Sequence, residues 1–115
     1  MPDKATQIIQ DANDRFRRGE PGILGQIVLT LGIADTVEET GGAPLDVIAI
    51  VQAFDTFTED NGPYGTHEFG SFQFAGEACF WKIDLYDNRL ECGSPEATDL
   101  SKTTRVLTIM LASEY

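Results

Sequence analysis

The sequence predicts an α+β domain, with about four antiparallel strands and three helices packed mainly on one face of the sheet. Three observations carry that expectation. From Glu68 to Gly93, aromatic and aliphatic residues recur at every second position and the breaks fall at turn-forming pairs, which reads as a three-stranded meander. Ile23 to Ile33 is a β-rich run able to add a fourth strand. Three further stretches, Asp3 to Arg18, Pro44 to Phe57 and Thr103 to Glu114, space their apolar residues as helices do.

In the first of these, Ala5, Ile8, Ile9, Ala12 and Phe16 form one stripe. Asp3 suits the N-cap and Gly19 the left-handed position after the last turn. Arg15, Arg17 and Arg18 complement the helix dipole there and can pair with acids of the body, so this only basic cluster is read as structural and not as a binding site. Along Ile23 to Ile33, the alternating sets Ile27, Leu29, Leu31, Ile33 and Val28, Thr30, Gly32 are both apolar or small, the mark of a covered strand. Ala34 to Ala43 is acidic, ends in Gly41-Gly42 and reads as a loop holding at most a short helical turn. Pro44 fits the first position of the second helix, which reads as mostly buried. Thr58 to Thr66 is dense in turn formers. It is not an EF-hand, because placing Gly62 at the sixth loop position would put Phe57 where the first acidic ligand belongs. A loop from Ser94 to Lys102 leads to the C-terminal helix, with Val106, Leu107, Met110 and Leu111 inward.

The meander has a predicted register. A turn on Gly76-Glu77 pairs Phe74 with Cys79, Phe72 with Trp81 and Gly70 with Ile83; a turn on Asp87-Asn88 pairs Leu85 with Leu90 and Ile83 with Cys92. Both turns bury one apolar face, and a slip by one residue would put Phe72, Phe74, Trp81 and Ile83 into water. The opposite face then carries Phe69, Ser71, Gln73, Phe80, Lys82, Asp84, Tyr86, Arg89 and Glu91. It is polar but rich in aromatics.

The 115 residues, 42% of them hydrophobic, suit a single domain. Neither terminus carries a signal-peptide pattern, and no apolar run approaches the roughly 18 residues that span a bilayer, so a cytoplasmic location is expected. Cys79 and Cys92 read as free, buried thiols of a reducing compartment. Nineteen acids against eight bases give a net charge of -11, and from Gly19 to Trp81 there is no Lys or Arg at all. Such a chain repels phosphate, which argues against direct nucleic-acid binding. Its carboxylates can instead meet a basic surface on another protein.

The segments FDTFTEDNGPYGTHEFGSF, FWKIDLYD and TTRVLTIMLASEY, in that order, resemble the signature blocks of a family of small uncharacterised alphaproteobacterial proteins found on chromosomes and mobile elements. The resemblance covers most of the chain from about Ala53 onward. It implies a bacterial, plasmid or phage setting and no particular chemistry.

No metal cluster, nucleophile elbow or phosphate loop is legible, and no cofactor is expected. The best catalytic set would join the lone His67 to Asp60, Glu68 and Asp84, with Lys82 and Tyr86 nearby. A metal site from Asp60, His67 and Glu68 is weaker, because adjacent strand residues point to opposite faces. The favoured reading is a non-catalytic acidic module that binds another protein. In its sharper form it is an inhibitor of anti-CRISPR or antirestriction type, occupying a nucleic-acid-binding surface of a bacterial defence complex. The expected contacts are Glu38, Glu39, Asp55, Glu59, Asp60, Phe69, Phe80 and Tyr86. The alternative is a small enzyme using His67 with nearby carboxylates.

Overall fold

The computed structural model describes residues 3–57 and 65–115. Asp3 accepts a hydrogen bond from the Thr6 amide at 2.7 Å and starts helix α1, Lys4–Arg17, which ends at Gly19 with φ 84°. The buried side of α1 is Ala12, Asn13, Phe16 and Arg17, whereas Ala5 and Ile8 of the expected stripe are exposed. The helix is thus rolled toward two polar residues, for which the core supplies partners.

The predicted strand Ile23 to Ile33 divides in two. Strand β1 is Gly25–Leu29, and Thr30 then caps helix α2, Leu31–Glu39, by accepting from the Ile33 amide at 3.4 Å. Ile33 and Val37 are buried as helix residues, so the stretch read as a loop is largely helical. Pro44 opens helix α3, Pro44–Gln52, as expected, but the helix stops before Phe57. Only Val47 and Val51 of α3 are buried, while Leu45 and Ile50 are exposed. That corrects the expectation of a mostly buried helix.

Strands β2, Phe69–Phe74, and β3, Glu77–Tyr86, form the expected hairpin with its register moved by two residues. The turn is Ala75-Gly76, with φ of 54° and 80°, so Phe74 faces Glu77, Phe72 faces Cys79 and Gly70 faces Trp81. A shift of two keeps every side chain on its predicted face. The third meander strand is absent: Leu90 and Cys92 are exposed, and only Tyr86 and Gly93 bridge. Asp87 Oδ1 accepts from the amides of Arg89 and Glu91, closing a loop wider than a tight hairpin.

The place beside β3 belongs instead to β4, Thr104–Leu111, the segment predicted as the C-terminal helix. Thr103, Arg105, Leu107 and Ile109 are buried and alternate with Thr104, Val106 and Thr108, a strand period in a largely β-branched run. Arginine at an inward position hid that period. The sheet runs β1-β4-β3-β2, antiparallel except for the parallel pair β1 and β4. The architecture is therefore α+β, with three helices and a four-stranded mixed sheet among the described residues. No helix among them is long and apolar enough to cross a membrane.

All three helices feed one core. Phe16, Ile33, Val37, Val47 and Val51 pack on Cys79, Trp81, Ile83, Leu107 and Ile109, which all share the inner face of the sheet. Both cysteines are free, and burial together with Glu77 pushes the Cys79 thiol pKa up, leaving it inert. Trp81 has no exposed surface; a Cβ at Gly70 would collide with its indole Nε1 and with Phe54. The C-terminus is tied to α2 by Glu114, whose carboxylate accepts from Thr30 Oγ1 at 2.6 Å, Leu111 N at 2.8 Å and Gly32 N at 3.1 Å.

Trp81→Ala is expected to cost about 3–5 kcal/mol, and Gly70→Ala about 1–3 kcal/mol by forcing the indole aside, both read from urea unfolding. The bonds from Thr30, then those from Leu111 and Gly32, lower the Glu114 pKa. Its contribution is then fully present above the ordinary carboxylate range and is lost as pH falls through the lowered value. Glu114→Gln should flatten the acid limb of a melting-temperature profile below about pH 4.

Candidate functional site

Two places gather side chains with functional potential, one on each side of the sheet. On the helical side, α1 presents Asn13, Asp14 and Arg17 toward the segment that enters β2. The His67 Nδ1 lies 2.9 and 3.0 Å from the two oxygens of Asp14. A carboxylate only accepts, so this contact puts a proton on Nδ1; in the neutral imidazole the lone pair is then on Nε2. The imidazole stacks on Phe57 at 3.7 Å between centroids, and the residue adopts φ 55°, a left-handed backbone that histidine visits more readily than most side chains. Asn13 Nδ2 donates to the Thr66 carbonyl at 2.9 Å and Gln10 Nε2 to the Gly65 carbonyl at 2.8 Å, fixing this approach to α1.

Arg17 is buried beside this pair. It donates Nη1 to Asp14 at 2.9 Å and Nη2 to the Phe54 carbonyl at 3.0 Å, and its guanidinium lies 5.1 Å from the Phe57 centroid and 5.3 Å from that of Trp81. Of the basic cluster, Arg17 is therefore a core residue, while Arg15 makes long surface contacts to Asp11 and Glu20. A second guanidinium, Arg105, donates Nε to Asn13 Oδ1 at 2.7 Å; its terminal nitrogens have no hydrogen-bond partner among the described residues. Burial pushes its pKa down to about 10.

The catalytic set expected from the sequence is not assembled. Lys82, Asp84 and Tyr86 project from the outer face of β3, away from His67, and Asp60 lies outside the described residues. The carboxylate that lies against His67 is Asp14 instead. It was missed because it is far upstream; Asp14 and Arg17, three apart on α1 next to the apolar Phe16, were the available signal. No group of three or more His, Cys, Asp or Glu that could hold a metal occurs among the described residues.

On the other side, none of the three α-helices covers the sheet, and Phe69 and Phe80 meet there at 5.0 Å between centroids. Tyr115 closes over both edge-on, at 6.0 and 5.5 Å, while remaining 77% exposed. A shallow groove there is lined by Thr30, Lys82, Asp84, Thr108, Met110, Glu114 and Tyr115, with Lys82 and Asp84 paired at 3.1 Å. Tyr86 shares this face, paired with Thr104 at its far end. Tyr115 escaped the sequence reading because its segment was taken for the end of a helix.

The acidic candidates lie elsewhere. Asp35, Glu38 and Glu39 are exposed at i, i+3 and i+4 on α2, in the helical layer, with no ion pair among the described residues. Asp55 is exposed after α3, and Glu59 and Asp60 lie outside the described residues.

A family model described as "Protein of unknown function (DUF3768)" matches residues 29–114, well over half the chain. The chain belongs to the DUF3768 family. The matched span takes in α2, α3, the hairpin, β4 and Glu114, so both the His67 side and most of the aromatic face fall within the DUF3768 region, whereas Asp14 and Arg17 precede it. No curated protein and no solved structure matches the chain.

Removing the Asp14 carboxylate strands the Arg17 cation in the core. Asp14→Ala should cost about 3 kcal/mol by urea unfolding. Arg105→Met removes an incompletely paired buried cation but leaves the buried Asn13 Oδ1 without its donor, so the two effects should offset and the melting temperature should change little.

Proposed function

We propose that this chain is a non-catalytic acidic protein-binding module whose contact surface is the uncovered sheet face around Phe69, Phe80 and Tyr115. The observation that carries the reading is one-sided covering: the three α-helices pack on the Trp81 face, leaving an aromatic cluster beside the Lys82–Asp84 pair on the other. Aromatic anchors rimmed by polar groups are the usual composition of a protein contact. The net charge of -11 selects a partner with a basic surface. In the bacterial, mobile-element setting implied by the signature segments, such a partner is the nucleic-acid-binding surface of a defence complex, and the module acts as its inhibitor from the cytoplasm. The solvent side of α2, with Asp35, Glu38 and Glu39 in one row, supports the electrostatic part of this proposal.

A second reading, a small enzyme with His67 as general base, draws support from the Asp14 contact that orients the imidazole and from the positive φ that holds it. The two readings part at single substitutions. With a partner isolated from the native host, Phe80→Ala and Tyr115→Ala in folded protein should weaken binding about tenfold or more. Paired charge reversal of Glu38 and Glu39 should mainly slow association and reduce its salt dependence. His67→Ala should leave binding within a few-fold of wild type. Loss of the biological effect in a folded His67→Ala protein, with binding by the Phe80 variant intact, would favour the enzyme.

A further inference from the structure

Beyond the sheet face, β1 is an edge strand with only β4 beside it. The Leu24 carbonyl accepts from Arg105 N at 3.0 Å, and Thr30 N donates to the Ile109 carbonyl at 3.1 Å. In a parallel ladder the even-numbered residues between them also turn their backbone groups to β4, so Gly25, Ile27 and Leu29 turn theirs outward. Natural edges are blunted by charge, proline, a bulge or a covering element. Among the described residues, β1 has none of these. From Pro21 to Ala34 there is no charged residue, and Leu24, Ile27, Val28 and Leu31 are all exposed, Ile27 by 40%.

We propose that β1 pairs antiparallel with β1 of a second copy of this chain, across a two-fold axis at Ile27. The outward residues are symmetric about that position. Gly25 faces Leu29 of the second copy, and the two Ile27 residues exchange both of their hydrogen bonds, so the edge is self-complementary. Charge argues for a second copy over a foreign strand. Two chains of net charge -11 repel wherever their acids meet, and the charge-free edge lets them join without confronting carboxylates. A basic partner has no such reason to choose an uncharged strand.

The test is sedimentation of the full chain over a concentration series, with site-resolved amide exchange. Wild type should double in mass as concentration rises, and exchange at Gly25, Ile27 and Leu29 should slow in step, while the β4-bonded amides of Gln26 and Val28 stay protected throughout. Ile27→Pro removes both central donors without breaking a bond to β4, and should weaken association about tenfold or more. Ile27→Glu sets two carboxylates opposite each other and should act in the same direction. Added salt should strengthen the pairing by screening the repulsion, the reverse of its effect on a basic partner, so this inference and the sheet-face contact fail separately. A monomer at every concentration would overturn the pairing. So would a dimer in which the Gly25, Ile27 and Leu29 amides exchange as fast as in the monomer, a result available from wild type even where the variants do not fold.

Discussion

Burial of Trp81 is the constraint on which the rest of the structure depends. The indole stands at the centre of the inner sheet face and is closed in from every direction. Gly70 yields space across the hairpin, Phe54 and Phe57 meet its edges at 5.4 and 6.2 Å, and the Arg17 guanidinium lies over its ring. Each neighbour fixes something else. Phe54 and Phe57 reach the indole only because α3 ends at Gln52 and releases the chain. Arg17 reaches it only because α1 is rolled past its apolar stripe, which in turn buries Asn13 and brings Asp14 to His67.

That packing draws the three α-helices to one side and leaves the other with a different task. The outer face has no large core to stabilise, yet it gathers Phe69, Phe80 and Tyr115 into an edge-on cluster, with Tyr115 held in place by the Glu114 carboxylate at the start of α2. The Glu114 contacts spread over the C-terminal turn, the end of β1 and α2, so the position of Tyr115 depends on the fold and not on the strand that precedes it. Acidic side chains are distributed differently, along the solvent side of α2 and after α3. A partner of the kind proposed, seated on the aromatic face, would meet short-range packing first and feel the acids of the helical layer as a longer-range field.

Much of this was legible in the sequence where two signals agreed. The inward set Phe72, Phe74, Cys79, Trp81 and Ile83 was correct because alternation fixes the face whatever the turn, and the register moved by two because Ala75 accepts a positive φ beside Gly76. Asp3, Gly19 and Pro44 marked helix ends through backbone chemistry that tertiary packing did not override. Where polar residues occupy the core, the pattern misled. Arg105 broke the alternation of β4 and let Val106, Leu107, Met110 and Leu111 pass for a helical face. Arg17 looked like a dipole complement and is a core cation. Thr30 read as a strand residue and is a helix cap, which is why Ile23 to Ile33 divides. The Asp14–His67 contact joins residues 53 positions apart, and its one local trace was Asp14 and Arg17 three apart on α1.

The proposed working surface of the molecule is the sheet face opposite Trp81. It is tested most directly by hydroxyl-radical footprinting of the protein alone and bound to its partner, read at Phe69, Phe80, Tyr86 and Tyr115. Tyr115 should be the most reactive of the four in the free protein, and the Phe69, Phe80 and Tyr115 cluster should be protected in the complex, with α1 and α2 unchanged. Protection confined to α1 and His67, with the aromatic cluster as reactive as in the free protein, would contradict it.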